Sequence, residues 1–212
     1  MKLTRSRFLF GFVCAALLLA GPSSAQTLTR FDAQPSGSKV KLAGTSTVHD
    51  WTIEGLLVVG SLELDSAFVA DPQKAAPGKI NAKAQINIPV RSLKSGKDAM
   101  DNVMQEAMKQ PQFLRVEFRL GELVLKETPK SADGPFLFDS KGELMVAGVT
   151  NKVSFPVTIQ RVEGKKLKTT GSTAVKMTAF GIKPPVLAGI LSTGDDVKIS
   201  FDWLTAQRAA TP

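Results

Sequence analysis

The sequence predicts an all-β fold of about eight antiparallel strands with one short helix, closed as a barrel or stacked as a sandwich. Three observations carry that reading. Segment after segment alternates apolar and polar residues with a period of two, the pattern of strands with one face buried and one wet. Turn and hairpin signals recur between these segments. After the N-terminus, only "AMDNVMQEAMKQP", residues 99–111, changes to a helical period.

The first residues stand apart from the fold. A basic "MKLTRSR" leads into an apolar "FLFGFVCAALLLAG" and a small-residue end, "PSSAQ". That order is a secretory signal peptide, with cleavage expected after Ala25 and residues 26–212 left as a single domain. The alternative is a retained N-terminal anchor. Cys14, the one cysteine, sits deep in the apolar run behind Phe12 and Val13, a poor place for lipidation. It leaves with the signal. The expected destination is the periplasm or the exterior, where disulfides form, yet the mature chain has no cysteine. Burial alone must hold it together, and a chain of this length can bury enough.

Charge narrows the function classes. The full chain carries +8; Lys2, Arg5 and Arg7 leave with the signal, so 24 basic residues face 19 acidic ones, a net +5. They are dispersed among the acids rather than gathered on one aromatic-rich stripe, which speaks against nucleic acid as a partner.

The strands follow in order. Val40 and Leu42 alternate with Lys39 and Lys41. "LLVVGSLELD" starts fully apolar, then alternates Leu62 and Leu64 with Ser61 and Glu63. "SAFVADPQKAAPGK" is expected to be a loop, punctuated by Pro72, Pro77 and Gly78. Across 80–88, Ile80, Ala82, Ala84, Ile86 and Ile88 point one way, and Asn81, Lys83, Gln85 and Asn87 the other. The small alanines leave space beneath this strand.

The helix comes next, with Asp98 as the expected N-cap and Pro111 past its end. Met100, Val103, Met104, Ala107 and Met108 fall at i, i+3, i+4, i+7 and i+8, one stripe. Strand periodicity then resumes with Val116, Phe118 and Leu120; Gly121 is a bulge or turn before Leu123 and Leu125. "FLFDSKGELMVAG" and "KVSFPVTIQRV" form a hairpin around Val149, Thr150 and Asn151. Val153, Phe155, Val157 and Ile159 share a face; Pro156 points the other way and is expected near an edge or bulge, because it donates no ladder hydrogen bond. "TAFGIKPPVLAGILSTGDD" is expected as a long loop before "VKISFDW", which puts Val197, Ile199, Phe201 and Trp203 inward.

Reactive chemistry is sparse. His49 is the single histidine. "TSTVHDW" places Ser46, His49 and Asp50 close together, but neighbours on a strand alternate faces and do not converge into a triad. A hydrolase using His49 is therefore the weakest alternative, and no catalytic residue is assigned. One histidine and no mature cysteine give no metal site, and the phosphate-cradling glycine motifs are absent. Glu117, Glu143 and Asp202 fall on outer faces. What remains is inward apolar surface. Periodicity alone favours ordinary filled core for it, as in a structural or interaction module.

Four segments change that balance: "GTSTVHDWTIEG", "INIPVRSLKSGKDAMDNVMQEAMKQPQFLRVEFRL", "GELMVAGVTNKVSFPVTI" and "TAFGIKPPVLAGILSTGDDVKISFDW". Together, and in this order, they resemble the YceI-like family of secreted, polyisoprenoid-binding, lipocalin-like proteins. The match spans nearly all of the mature chain, and the "HDW" start and "KPP…TGD" end resemble one branch of it. The helix lacks the histidine common in that family, and Gln112-Phe113 stands where many members have a tyrosine and proline.

The resemblance implies a lipocalin-like barrel with an internal apolar channel, partly capped by the helix. It also implies an isoprenoid, quinone or fatty-acyl chain as partner, held for carriage or sequestration, without catalysis, cofactor or metal. The residues expected to line that channel are Trp51, Ala84, Ile86, Ile88, Met100, Val103, Met104, Met108, Val116, Phe118, Phe155, Val157, Phe201 and Trp203. Methionine suits the helix face that would adapt to a tail. The sequence leaves a homodimer open.

Overall fold

The structure is a computed structural model that describes residues 27–131, 133–187 and 191–209. The expected signal peptide and its cleavage site lie outside the described residues. The chain runs β1 (Leu28–Ala33), β2 (Lys39–Ser46), β3 (Trp51–Gly55), β4 (Val59–Asp65), α1 (Ser66–Ala70), β5 (Gly78–Ile80), β6 (Ala82–Pro89) and β7 (Leu93–Lys94). It continues through α2 (Asp98–Ala107), β8 (Arg115–Glu127), β9 (Phe136–Val146), β10 (Val149–Val162), β11 (Lys166–Lys176), β12 (Val186–Leu187) and β13 (Leu191–Gln207).

Neighbouring strands pair in the order β1-β4-β6-β8-β9-β10-β11-β13, and β13 returns to β1. The result is a closed, antiparallel barrel of eight strands, the barrel rather than the sandwich. Closure leaves no free edge along that circuit. Two walls are broken rather than single strands. β1 and β2 both lie along β13, at Ala33↔Thr205 and Lys39↔Asp202. β3 and β4 follow the same break, pairing with β2 and β1 in turn. Arg208 clasps the seam, donating from Nε and a terminal nitrogen to the two carboxylate oxygens of Asp32 at 2.6 and 3.1 Å.

Gly121 marks a bulge: the β8–β9 register shifts between Leu120 and Glu122. That one-residue slip changes the parity, so Phe118 and Leu120 before it and Leu123 and Leu125 after it all face the interior. Pro156 lies within β10, paired with β9 opposite Asp139. Its other flank is where the β10–β11 ladder stops, at Val157↔Gly171, so the expected edge exists only locally.

Four sequence expectations are corrected. The segment after Asp65 is not all loop. Asp65 accepts from the N–H groups of Ala67 and Phe68, at 2.8 and 3.4 Å, and caps α1. A five-residue helix is too short to show a period. It matters because Phe68 closes the base of the barrel, edge-on to Phe136 and Phe138 at 5.5 and 5.8 Å between ring centres. The β9–β10 turn is at Ala147 and Gly148, both with positive φ, and not at residues 149–151, which belong to β10. Two positive φ values match the twist of a tight hairpin. Asp98 is the first residue of α2 rather than its cap; Lys97 occupies the cap position without a side-chain bond. β13 begins at Leu191, so the end of the expected long loop is strand, irregular against β2 between Thr193 and Val197.

Candidate functional site

The barrel is filled at one end and hollow through the rest. Below Trp203, Phe31, Leu64, Phe68, Phe136, Ile159 and Leu167 pack together with about 20 Å³ of space between them. Above that base lies an inner cavity with about 130 Å³ open to the centre of a water-sized sphere. Towards α2 lies an outer cavity of about 210 Å³ on the same measure. A single water needs roughly 10–15 Å³, so both spaces are large. They share Leu42, Val116 and Ile199 as walls and so lie end to end inside the barrel.

Each of the fourteen residues borders one or other of these two cavities. Ala84, Ile86, Ile88, Val116, Phe118, Phe155, Val157, Phe201 and Trp203 line the inner part. Trp51, Met100, Val103, Met104 and Met108 line the outer part, where Val116 appears again. The α2 stripe thus turns towards the hollow, with Met104 and Met108 buried and Met100 and Ala107 half-buried against the same cluster. On β13, Val197 belongs to the outer cavity, Ile199 to both, and Phe201 and Trp203 to the inner one. At about 3.3 Å per residue, that run covers roughly 20 Å of channel.

The width comes from pairing large residues with none. Phe118, Phe155 and Phe201 form a chain of rings across the inner wall, with centres 5.6 and 6.1 Å apart. Gly171 stands opposite Phe201 on the neighbouring strand. A Cβ at Gly171 would meet the Phe201 ring at 2.8 Å, so the absence of a side chain lets the ring lie against the wall instead of across the lumen.

The helix is held over the opening by a polar anchor that sequence periodicity did not reveal. Asp101 is 3% exposed. One carboxylate oxygen accepts both the backbone N–H and the hydroxyl of Ser95, each at 2.7 Å, and the other lies 3.3 Å from the Lys94 ammonium. Burial pushes the Asp101 carboxyl up, but these three donors outweigh it and leave it below the usual range. At the far end of this connection, Phe113 packs over the Gly148 turn.

The sequence also missed part of the lining. Thr169 and Thr173 of β11 face the inner cavity, with Ser140 of β9. Extending the period of two from Leu167 would have placed both threonines inward. Phe180 and Ile182 wall the outer cavity from a segment expected to be open loop.

His49 is exposed at the channel mouth. The Ser46 hydroxyl donates to the His49 carbonyl at 2.6 Å and accepts the His49 N–H at 3.2 Å. The serine is thus tied to the histidine's backbone. Asp202 and Glu117 do lie on the outer wall, in pairs with Lys168 and with Arg115 and Arg119.

A model of the YceI-like domain matches residues 31–204. The chain belongs to the YceI-like family. Solved structures share this YceI-like fold at low identity. BcnA of Burkholderia cenocepacia superposes with a TM-score of 0.62 at 19% identity, over 82% of this chain and 99% of that one. A polyisoprenoid binding domain from Saccharophagus degradans, implicated in plant cell wall breakdown, gives 0.62 at 12% identity, over 86% and 100%. The Campylobacter jejuni YceI protein gives 0.51 at 15%, over 73% and 82%. No curated protein matches this YceI-like chain.

Proposed function

We propose that this YceI-like protein is a non-catalytic lipid binder that holds an isoprenoid, quinone or other long apolar chain in its barrel channel. Residues 1–25 serve as a cleaved signal peptide, and residues 26–212 act as one exported barrel domain in the periplasm, carrying or sequestering the lipid. The observation that supports this reading is the hollow interior: two adjoining cavities of about 130 and 210 Å³, walled almost wholly by apolar side chains, the outer one roofed by methionines. The polyisoprenoid binding described for the Saccharophagus degradans domain points the same way.

The energetics suit such a guest. Burying one isoprene unit removes about 100 Å² of apolar surface, about 2.5 kcal/mol at roughly 25 cal/mol per Å². Several units offset the cost of ordering the tail with few hydrogen bonds. Methionines at 104 and 108 adjust their unbranched side chains to a tail of variable shape.

Native mass spectrometry of protein purified from its own host tests the reading. The expected spectrum carries an adduct that organic extraction removes and an offered prenyl quinone restores. Protein that is adduct-free as isolated and takes up neither prenyl quinone nor prenyl alcohol would contradict it.

A further inference from the structure

The hollow has one closed end and one open end. Trp203, 2% exposed, stands at the closed end of the inner cavity. Below it, Phe68 meets Phe136 and Phe138 edge-on at 5.5 and 5.8 Å between ring centres, and only about 20 Å³ stays open. The outer cavity ends on the opposite side, where Val48 and His49 are exposed near Thr193. No polar atom opens onto the inner cavity. Ser140 spends its hydroxyl on the Phe155 carbonyl at 2.7 Å, and the Trp203 indole N–H and Thr169 hydroxyl are buried within the wall. A polar head taken to the closed end would lose its water and gain no partner, so an amphiphile enters tail first and leaves its head at the mouth.

The depth of the hollow then limits the tail. From Thr193 at the mouth to Trp203 at the floor, β13 runs about 33 Å along the strand. Strands of an eight-stranded barrel tilt by about 40°, which makes the depth along the axis about 25 Å. Spread evenly over that depth, the two cavities give the centre of a water-sized sphere about 14 Å² of cross-section, a tube about 7 Å wide. One chain about 4 Å thick fits it; a chain folded back on itself, about 8 Å across, does not. Each isoprene unit adds four chain bonds, about 5 Å when extended.

We infer that the barrel is a length gauge, floored by Trp203, that holds one extended tail of about five isoprene units and leaves any further units outside. This inference rests on the lipid-binding reading and adds the size class of the guest. A shorter tail leaves apolar wall uncovered, and a longer one gains nothing from the units it cannot bury.

Titration of the protein with all-trans prenyl alcohols of two to eight units, read by native mass spectrometry, tests the gauge. Affinity should tighten about five-fold per unit up to about five units, what remains of the burial gain once each unit is ordered. From six to eight units it should stay level within about two-fold. Ala84→Phe fills space on the inner wall and should move the break about one unit shorter. Trp203→Ala lowers the floor and should move it about one unit longer. The two shifts are opposite in sign, so either variant decides if the other fails to fold.

Affinity that climbs steadily through eight units would overturn the inference, since the tail would then find no floor. So would a break at three units or fewer, which would leave the inner cavity unused, or a break that neither variant moves. If no alcohol of any length binds, the lipid-binding reading itself fails and the gauge falls with it.

Discussion

Ser95 gives both its backbone N–H and its hydroxyl to one oxygen of Asp101, at 2.7 Å each, and thereby ties the start of α2 to the chain leaving β7. The carboxylate is buried, so the bonds lie in a setting where charge-assisted donors count for more than at the surface. Asp101→Asn keeps the shape and removes the charge. It should cost about 2 kcal/mol of unfolding free energy, the typical worth of hydrogen bonds to a charged group. Hydrogen exchange should show amides of α2 opening first, while β8 and β9 stay protected. An unchanged exchange pattern would mean that Met104 and Met108 hold the helix unaided.

Two carboxyls make the fold acid-sensitive in a defined direction. Hydrogen bonding from Arg208 leads in holding Asp32 below the ordinary carboxyl range, against burial, with help from Arg30. Asp101 is also held low, as its donors outweigh burial. A carboxyl with a folded pKa below its unfolded value binds fewer protons when folded. Its stabilising effect is therefore fully present above the unfolded value, about 4, and is lost as pH falls through the folded value. Urea midpoints should stay flat at neutral pH and drop below about pH 4. The drop should be shallower in Asp101→Asn.

Ala84→Leu separates a hollow barrel from a filled one. Ala84 lines the inner cavity, on a strand whose small residues leave room below them. In a packed core the extra methyl groups would cost about 1–3 kcal/mol. In an open channel they occupy free space, so the melting temperature should hold or rise while uptake of a prenyl quinone falls. Differential scanning calorimetry and a quinone-uptake assay on the same protein read both quantities.

Gly171→Ala acts through Phe201. The added Cβ lies within 2.8 Å of the ring, so Phe201 must swing towards the lumen. Prenyl quinone affinity should fall about ten-fold, more than for Ala84→Leu, because the moved ring obstructs the full width. That factor corresponds to about 1.4 kcal/mol. The check is a fluorescence titration of Trp203 and Trp51, and an unchanged affinity would show that the ring tilts aside within the wall.

The barrel was legible because period-two alternation is imposed by a buried face, and it survives wherever that face is long. β8 and β10 show it best: Phe118 and Phe155 were placed inward from spacing alone, and the cavity lies against both. The methionine stripe of α2 was visible for the same reason, at a helical period. What spacing could not show is anything local or non-repeating. α1 is five residues long and owes its existence to one aspartate cap. The Ser95–Asp101 clamp joins side chains six apart through a turn that no periodicity encodes. The Ala147–Gly148 turn lies two residues before the expected one, because Val149, Thr150 and Asn151 have strand partners on β9. Thr169 is easily overlooked because threonine suits both faces of a strand; the period of two from Leu167 and the register opposite Trp203 both put it inward.

A crystal structure of the protein purified from its host with its lipids retained bears most directly on the hollow barrel. The account predicts one elongated, continuous feature of electron density running from beneath Met104 and Met108, past Phe201, to Trp203. An interior closed by side chains alone, or a bound lipid lying only on the outer wall, would contradict it.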